Sequence, residues 1–205
     1  MSAHRLWTVP TASWHVNKGI KMRVLFVPHA QGNPYQELLG KAIAKHNVQI
    51  QMVSDFQRLP LLSSIRKFGK PEVLHLHWTT PFWLHKQWFL TVLSTLRFSL
   101  ELLIIKMMGI KIVWTLHDRH WPDNPNPQLE YRLNRLFCLM YDQIIVHCRA
   151  AQRVAQETYQ LPKFLHKKIS VIGHGHFIDY YDTLLSGKGL SDKGQTERGR
   201  KKNPP

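Results

Sequence analysis

Cysteine is nearly absent: Cys138 and Cys148 alone in 205 residues offer no disulfide framework and no thiolate spacing for zinc. Such sparing use fits a reducing compartment. Acidic residues are also few, 13 against 28 Lys and Arg, which leaves a formal net charge of +15. That deficit predicts an anionic partner, whether nucleic acid, an anionic membrane surface or a phosphorylated ligand, without choosing among them. Residues 1–20 contain His4, Arg5, Trp7, Pro10 and Trp14 but no apolar run long enough for a signal peptide, so the chain is expected to stay in the cytosol. Phe82 to Met108 is rich in Trp, Phe, Leu and Ile, yet Lys86, Arg97, Glu101 and Lys106 interrupt it. Its longest uncharged run falls short of the roughly 20 residues that span a bilayer, so a spanning helix is rejected and an interfacial one stays open. There is no internal repeat and no G-x-G-x-x-G dinucleotide fingerprint. A basic nucleic-acid-binding module is the main non-enzymatic rival, but the chain has no RNP-type strand, KH-type loop or zinc-finger spacing, and its charge is spread out.

What is present is a core and an alternation. Hydrophobic residues make up 43%, which excludes global disorder. Short β-branched runs alternate with helical patterns, the signature of a parallel sheet with helices on its faces. The predicted strands are Arg23–Val27, Val48–Met52, Val73–Leu76, Ile112–Leu116, Gln143–Val146 and Ile169–Ile172. The predicted helices are Pro34–His46, Phe82–Met108, Pro127–Tyr141 and Ala150–Tyr159. Asn33 is the expected N-cap of the first, with Pro34 in its first turn and Glu37 as capping-box partner. In the long middle helix Phe89, Val92, Leu93, Leu96, Leu100, Leu103 and Met107 recur at helical spacing, and most of that stripe is expected to pack on the sheet. Gly109 supplies its stop. These elements predict an open, doubly wound, Rossmann-like α/β sheet of about six mainly parallel strands over residues 22–182. Residues 1–21 read as a poorly ordered extension, with Met22 an alternative start. Residues 183–205 read as a disordered basic tail, Gly- and Lys-rich from Ser186 onward.

Ligands of doubly wound sheets bind beyond the carboxyl ends of the strands. The first strand runs into Pro28-His29-Ala30-Gln31-Gly32-Asn33-Pro34, a tight loop leading to a helix N-terminus with unpaired N–H groups. The third ends His75-Leu76-His77-Trp78, and alternation puts His75 and His77 on one face. The fourth ends Thr115-Leu116-His117-Asp118-Arg119-His120, and the sixth Gly173-His174-Gly175-His176. Polar and aromatic residues thus gather at one sheet edge. Two chemistries fit. His-x-His with His-Asp could ligate zinc or iron, although neither His-x-His-x-Asp-His nor His-Glu-x-x-His is present. The alternative is acid–base and hydrogen-bond chemistry on a polyhydroxylated ligand, with Trp and Tyr faces covering sugar rings.

The segments VLHLHWTTPFW, IVWTLHDRHWPDNPNPQLEYR, QIIVHCRAAQRVA and ISVIGHGHFIDYY resemble, in order and spacing, the N-terminal domain of bacterial GT-B glycosyltransferases of the group 1, family 4 kind. The closest likeness is to the enzymes of exopolysaccharide and lipid-linked sugar assembly. Similar proteins carry His-Trp after the third strand, Thr-x-His-Asn or Thr-x-His-Asp after the fourth, and His-Gly-x-Tyr before the interdomain linker. Here these fall on His77 and Trp78, on Thr115, His117 and Asp118, and on His174 and Gly175, with Phe177 where Tyr is common. The resemblance implies transfer of a sugar from a nucleotide-sugar donor to an acceptor hydroxyl, lipid-linked or on a polysaccharide, with no metal and no other cofactor. It implies that His117 contacts the transferred sugar or its phosphate, and that Asp118 is the base if transfer inverts. It places Gly32, Asn33, His174 and Gly175 toward the donor, and His75, His77, Trp78 and His120 toward the acceptor. The family's donor pocket lies in a second Rossmann-like domain, and its paired Glu-x7-Glu is missing from these residues. The expectation is therefore a shortened remnant, or a domain needing a second subunit for the donor site. A non-catalytic scaffold subunit remains the other alternative. Peripheral contact with the cytoplasmic face of the inner membrane follows, through Trp83, Lys86, Trp88, Phe89 and Arg97.

Overall fold

The computed structural model describes residues 22–30, 33–54, 59–121, 124 and 126–185, with Gly19 besides. The expected extension over residues 1–21 and the tail beyond Leu185 thus lie outside the described residues, apart from Gly19. The chain divides after His174 into a first unit, residues 1–174, and a second, residues 175–205.

The first unit is built on six parallel strands: β1 (Met22–Val27), β2 (Val48–Met52), β3 (Val73–Leu76), β4 (Lys111–Thr115), β5 (Gln143–Val146) and β6 (Ile169–Val171). Their order is β2-β1-β3-β4-β5-β6. The helices are α1 (Pro34–Ala44), α2 (Pro60–Phe68), α3 (Trp88–Met107), α4 (Pro127–Met140), α5 (Arg149–Thr158) and the single turn α6 (Lys163–His166). The expected doubly wound sheet is thus present, with every strand within about a residue of its predicted bounds. In the second unit, α7 (Ile178–Leu185) continues three residues past the expected start of the tail at 183.

Strand order follows from handedness. A right-handed crossover carries α1 leftward from β1 to β2 over one face of the sheet, and carries α2, α3, α4 and α5 rightward over the other. The second face holds the main core. Leu25, Val27, Leu74, Leu76, Ile112, Trp114, Ile144, Val146 and Ile169 pack there against Leu61, Ile65, Phe68, Phe98, Leu102, Ile105 and Phe137. Leucines and isoleucines wholly removed from water, such as Leu74, Leu102 and Ile112, contribute about 1.5–3 kcal/mol each. Alternation sends Phe26, His75 and Thr115 to the opposite face, that of α1.

Several expectations need correction. α2 was missed because its sequence carries no capping side chain: its N-cap is Leu59, without a side-chain bond. The cap is supplied in tertiary structure instead, by Glu101 Oε2 on α3, which accepts from Leu61 N at 3.2 Å. The middle helix begins at Trp88 rather than Phe82, because Thr80–Phe82 forms a separate 3-10 turn after Thr79. Its stop is as expected, with Gly109 at φ 76° and Ile110 N donating to Ile105 O.

α3 also faces the other way. Its buried side chains are Thr91, Ser94, Thr95, Phe98, Glu101, Leu102 and Ile105. The apolar stripe expected to pack on the sheet is exposed instead: Phe89, Val92, Leu93, Leu96, Leu100, Leu103 and Met107, together with Trp88. Thr91 and Ser94 are satisfied locally, whereas Thr95 Oγ1 and Glu101 Oε1 are buried without a hydrogen-bond partner among the described residues. Thr91 Oγ1 bonds His85 N and O, and Ser94 Oγ lies 2.8 Å from His85 Nε2. Trp83, expected at a membrane surface, is wholly buried against Phe137, and Arg97 donates to Phe82 O.

Candidate functional site

Connections leave β1 leftward and β3 rightward, so their carboxyl ends flank the point where the winding reverses. Such a switch point is where open α/β sheets bind ligands. The loop after β1 is shaped by Gln36, which is fully buried. Its Oε1 accepts from Ala30 N at 2.8 Å and its Nε2 donates to Pro28 O at 2.7 Å. Asn33 caps α1 as expected, accepting from Tyr35 N at 2.9 Å. The reciprocal capping box does not form. Asn33 N donates to Ala30 O, and the residue three beyond the cap is Gln36, not Glu37, its amide spent on the loop.

Tyr35, in the first turn of α1, stands among the strand ends. Its ring lies 6.0 Å from His77, 5.0 Å from His117, 5.2 Å from His147 and 5.0 Å from His174, stacked on the last. His75 and His77 share a face as alternation requires, their rings stacked at 4.4 Å. His75 Nε2 is 2.7 Å from Thr115 Oγ1, and His77 Nδ1 is 3.1 Å from His117 Nε2. Trp78 stacks on His117 at 4.2 Å and 17°. Trp114 Nε1 donates to His77 O, tying the end of β3 to β4.

Four of these imidazoles, His75, His77, His117 and His147, are pushed toward the neutral form. Burial pushes His75 and His117 down to about 3, with neighbouring imidazoles adding to the effect at His117. His77 is held well below the usual range by burial first and then by His75, His117 and His147. His147 shifts the same way, against the pull of Ile172 O, which its Nδ1 approaches at 3.1 Å. The Nε2 atoms of His29, His77 and His147 are buried without a hydrogen-bond partner among the described residues.

Beside this cluster opens a pocket of about 310 Å³, open solvent included, lined by His77, Trp78, Thr79, Thr80, Thr115, His117, Asp118, His120, Trp121, Glu130 and Asn134, among others. The structure therefore brings His77, Trp78, His117, Asp118 and His120 to one cavity. His75 sits one layer behind, at the Thr115 hydroxyl. His120 also approaches Tyr131 Oη at 3.4 Å, and Asp118 is exposed at the rim.

Residues 11–179 match the family profile of Glycosyltransferase Family 4. The chain belongs to glycosyltransferase family 4. It is a glycosyltransferase domain of GT-B type with the Rossmann-like α/β fold of that class. Among curated proteins, none matches it.

Within this family 4 domain the remaining site expectations fall unevenly. His174 joins the cluster through Tyr35 and His147. Asn33 lies at the head of α1. Gly32 lies outside the described residues, and Gly175 belongs to the second unit. Among the described residues no group of three or more His, Cys, Asp or Glu is placed to hold an ion. The rings of His75 and His77 are stacked, so their lone pairs do not converge, and each is already within hydrogen-bond reach of a neighbour.

Sequence reasoning passed over Glu130. Its carboxylate is buried and accepts from Trp121 N at 3.0 Å, Asn124 Nδ2 at 2.7 Å and Thr80 Oγ1 at 3.1 Å. It holds the turn after β3 and the loop after β4 around the pocket. The available signal was an acidic residue in the first turn of a helix, which ordinarily reads as a dipole complement. Tyr35 and His147 were missed as well, since neither stands in a polar cluster of its own in the sequence.

Proposed function

We propose that the pocket holds the acceptor in a sugar transfer, with a lipid-linked or polysaccharide hydroxyl attacking the anomeric carbon of a nucleotide-sugar donor. The new bond joins that carbon to the acceptor oxygen. The bond to the diphosphate breaks, the nucleoside diphosphate leaves, and the hydroxyl proton passes to a base. The observation that carries this reading is His117 at the pocket wall, held by His77 at 3.1 Å and by the face of Trp78 at 4.2 Å.

A sugar suits such a surface, since indole and phenol faces cover its C–H groups while polar edges take its hydroxyls. The lowered pKa of His117 bears on its role. A neutral imidazole donates one hydrogen bond and accepts another, so it orients a hydroxyl rather than neutralising a phosphate charge. With a pKa of about 3 it is also a weak base at neutral pH. Asp118, at the open rim, is the better candidate to take the proton. Buried imidazole nitrogens without partners cost about 1–3 kcal/mol each, and ligand hydroxyls would relieve part of that.

The test is transfer from radiolabelled UDP- and GDP-hexoses into a native membrane extract, using the full chain together with the proteins that co-purify with it. The expected result is label in acceptor material, lost by at least a hundredfold in His117→Ala and Asp118→Asn while circular dichroism stays unchanged. Full transfer by both variants would remove this pocket from the reaction.

A further inference from the structure

α3 carries two faces. At 100° per residue, Trp88, Val92, Leu103, Leu96, Phe89, Met107, Leu100 and Leu93 occupy one arc of about 140°, all at least 50% exposed. The buried side chains occupy the opposite arc. Ser99, half-buried, is the one polar residue within the outer arc. Arg97 and Lys106 fall at its two edges and are engaged, Arg97 with Phe82 O and Lys106 with Asp142 at 3.3 Å. At on the order of 100 Å² of exposed surface each, eight such side chains make a patch of roughly 800 Å², larger than the roughly 300–600 Å² of a typical monomer's largest patch.

Charge decides what covers it. α2 and α4 touch α3 on either side. α2 and the residues after it expose Arg66, Lys67 and Lys70, and α4 exposes Arg132 and Arg135 beside Leu136 and Leu139. Lys86 is exposed just before α3 begins. The stripe is thus bordered by cations on both flanks. A second copy of the same face would set like charges against one another, in a chain already at +15. An anionic bilayer surface meets both requirements, since its acyl region takes the stripe and its headgroups take the flanks.

The helix is long and apolar enough to cross a membrane, with a mean hydropathy of 1.6 over its window. Its inner arc is nevertheless built into the core between two central strands, and that excludes spanning.

We propose that α3 is an interfacial docking helix, lying in the surface plane of an anionic membrane with its outer arc in the acyl boundary and the cations of α2 and α4 on the headgroups. This goes beyond the sugar-transfer reading and does not depend on it. Of the docking residues expected from sequence it keeps Lys86, Trp88 and Phe89 and drops Trp83, which is buried, and Arg97, which is committed to the turn before α3.

Co-sedimentation of the full chain with vesicles of phosphatidylcholine alone, or with about a third phosphatidylglycerol, tests the proposal. Binding to the anionic vesicles is expected, reduced at least tenfold in Leu96→Asp/Leu100→Asp. Arg132→Glu/Arg135→Glu should lose the preference for anionic over neutral vesicles. Both pairs are exposed, so urea midpoints should match the parent chain. Undiminished binding by the aspartate variant would assign the lipid contact to another segment, such as the Lys- and Arg-rich residues 188–202, and overturn the proposal. A dimer in sedimentation equilibrium that the same aspartates dissolve, with no vesicle binding by the parent, would overturn it in favour of a second copy.

Discussion

Acidification from pH 7 to pH 5 should destabilise the fold, by an amount that the imidazole cluster and one buried carboxyl set between them. Burial holds His75 and His117 down to about 3, whereas unfolding returns each to about 6.5. The unfolded chain therefore takes up protons first as the pH falls. Stability present in full above about pH 6.5 is lost progressively down to about pH 3. At about 1.4 kcal/mol per pH unit and site, reaching pH 5 removes about 2 kcal/mol for each histidine. His77 and His147 are shifted in the same direction and add to the loss. Glu101 works in the opposite sense. Burial raises it to about 7 from a usual 4.5, against the pull of the Leu61 N–H. Its contribution is therefore full below about pH 4.5 and is lost as the pH rises through 7. Between pH 7 and pH 5 it returns about 2 kcal/mol. The parent chain should thus lose about 2 kcal/mol or more, a large share of the 5–15 kcal/mol that typically holds a domain together. Glu101→Gln still accepts from Leu61 N but does not titrate, so it should lose about 4 kcal/mol or more over the same interval. Urea midpoints at pH 7, 6 and 5 measure both. Equal losses in the two chains, or a Glu101→Gln chain as stable at pH 5 as at pH 7, would refute the reasoning.

Glu130→Ala leaves Trp121 N, Asn124 Nδ2 and Thr80 Oγ1 without their shared acceptor and should cost about 3 kcal/mol in urea denaturation. Because the freed loop carries His120, acceptor transfer should fall as well, and Glu130→Gln should restore part of both. Trp83→Ala should cost about 3–5 kcal/mol for the cavity left in the core, while Trp88→Ala, at 76% exposure, should stay within about 0.5 kcal/mol. The reverse ranking would mean that Trp88, not Trp83, is the indole packed in the core. Gly109→Ala meets no atom within 4 Å, so its cost is the left-handed backbone alone, about 1–2 kcal/mol in thermal unfolding, with Gly109→Asn milder.

Much of the fold was legible because parallel strands buried on both faces announce themselves as short apolar runs, and β2, β3 and β5 fell on their predicted bounds. Helices announced by a local cap were legible too, such as α1 with Asn33. α2 was not, because its cap comes from Glu101, forty residues away in sequence. The site shows the same division. Alternation along β3 placed His75 beside His77, since that relation lies within one strand. The pairing of His77 with His117 depends on strand order, which no single segment contains. Tyr35 meets His77, His117, His147 and His174 for the same reason, lying at the switch point between β1 and β3.

The orientation of α3 marks the limit of periodicity as an argument. The spacing of Phe89, Val92, Leu96, Leu100 and Leu103 located one face of a helix, and the step from apolar to inward assumed water on the other side. Here the inward arc is chosen by partners instead. Phe98, Leu102 and Ile105 fill the core, Thr91 and Ser94 close on His85, and Glu101 caps α2. Each of those polar bonds would be forfeited by turning the helix over. The outer stripe would gain burial, but Glu101 would leave Leu61 N without its acceptor and His85 would lose its hydroxyls. A helix apolar on one arc and specifically bonded on the other keeps its bonds inside when something besides water can meet the apolar arc. That is why the exposure of Leu96 and Leu100 points to a surface of low polarity rather than to a fault in the packing.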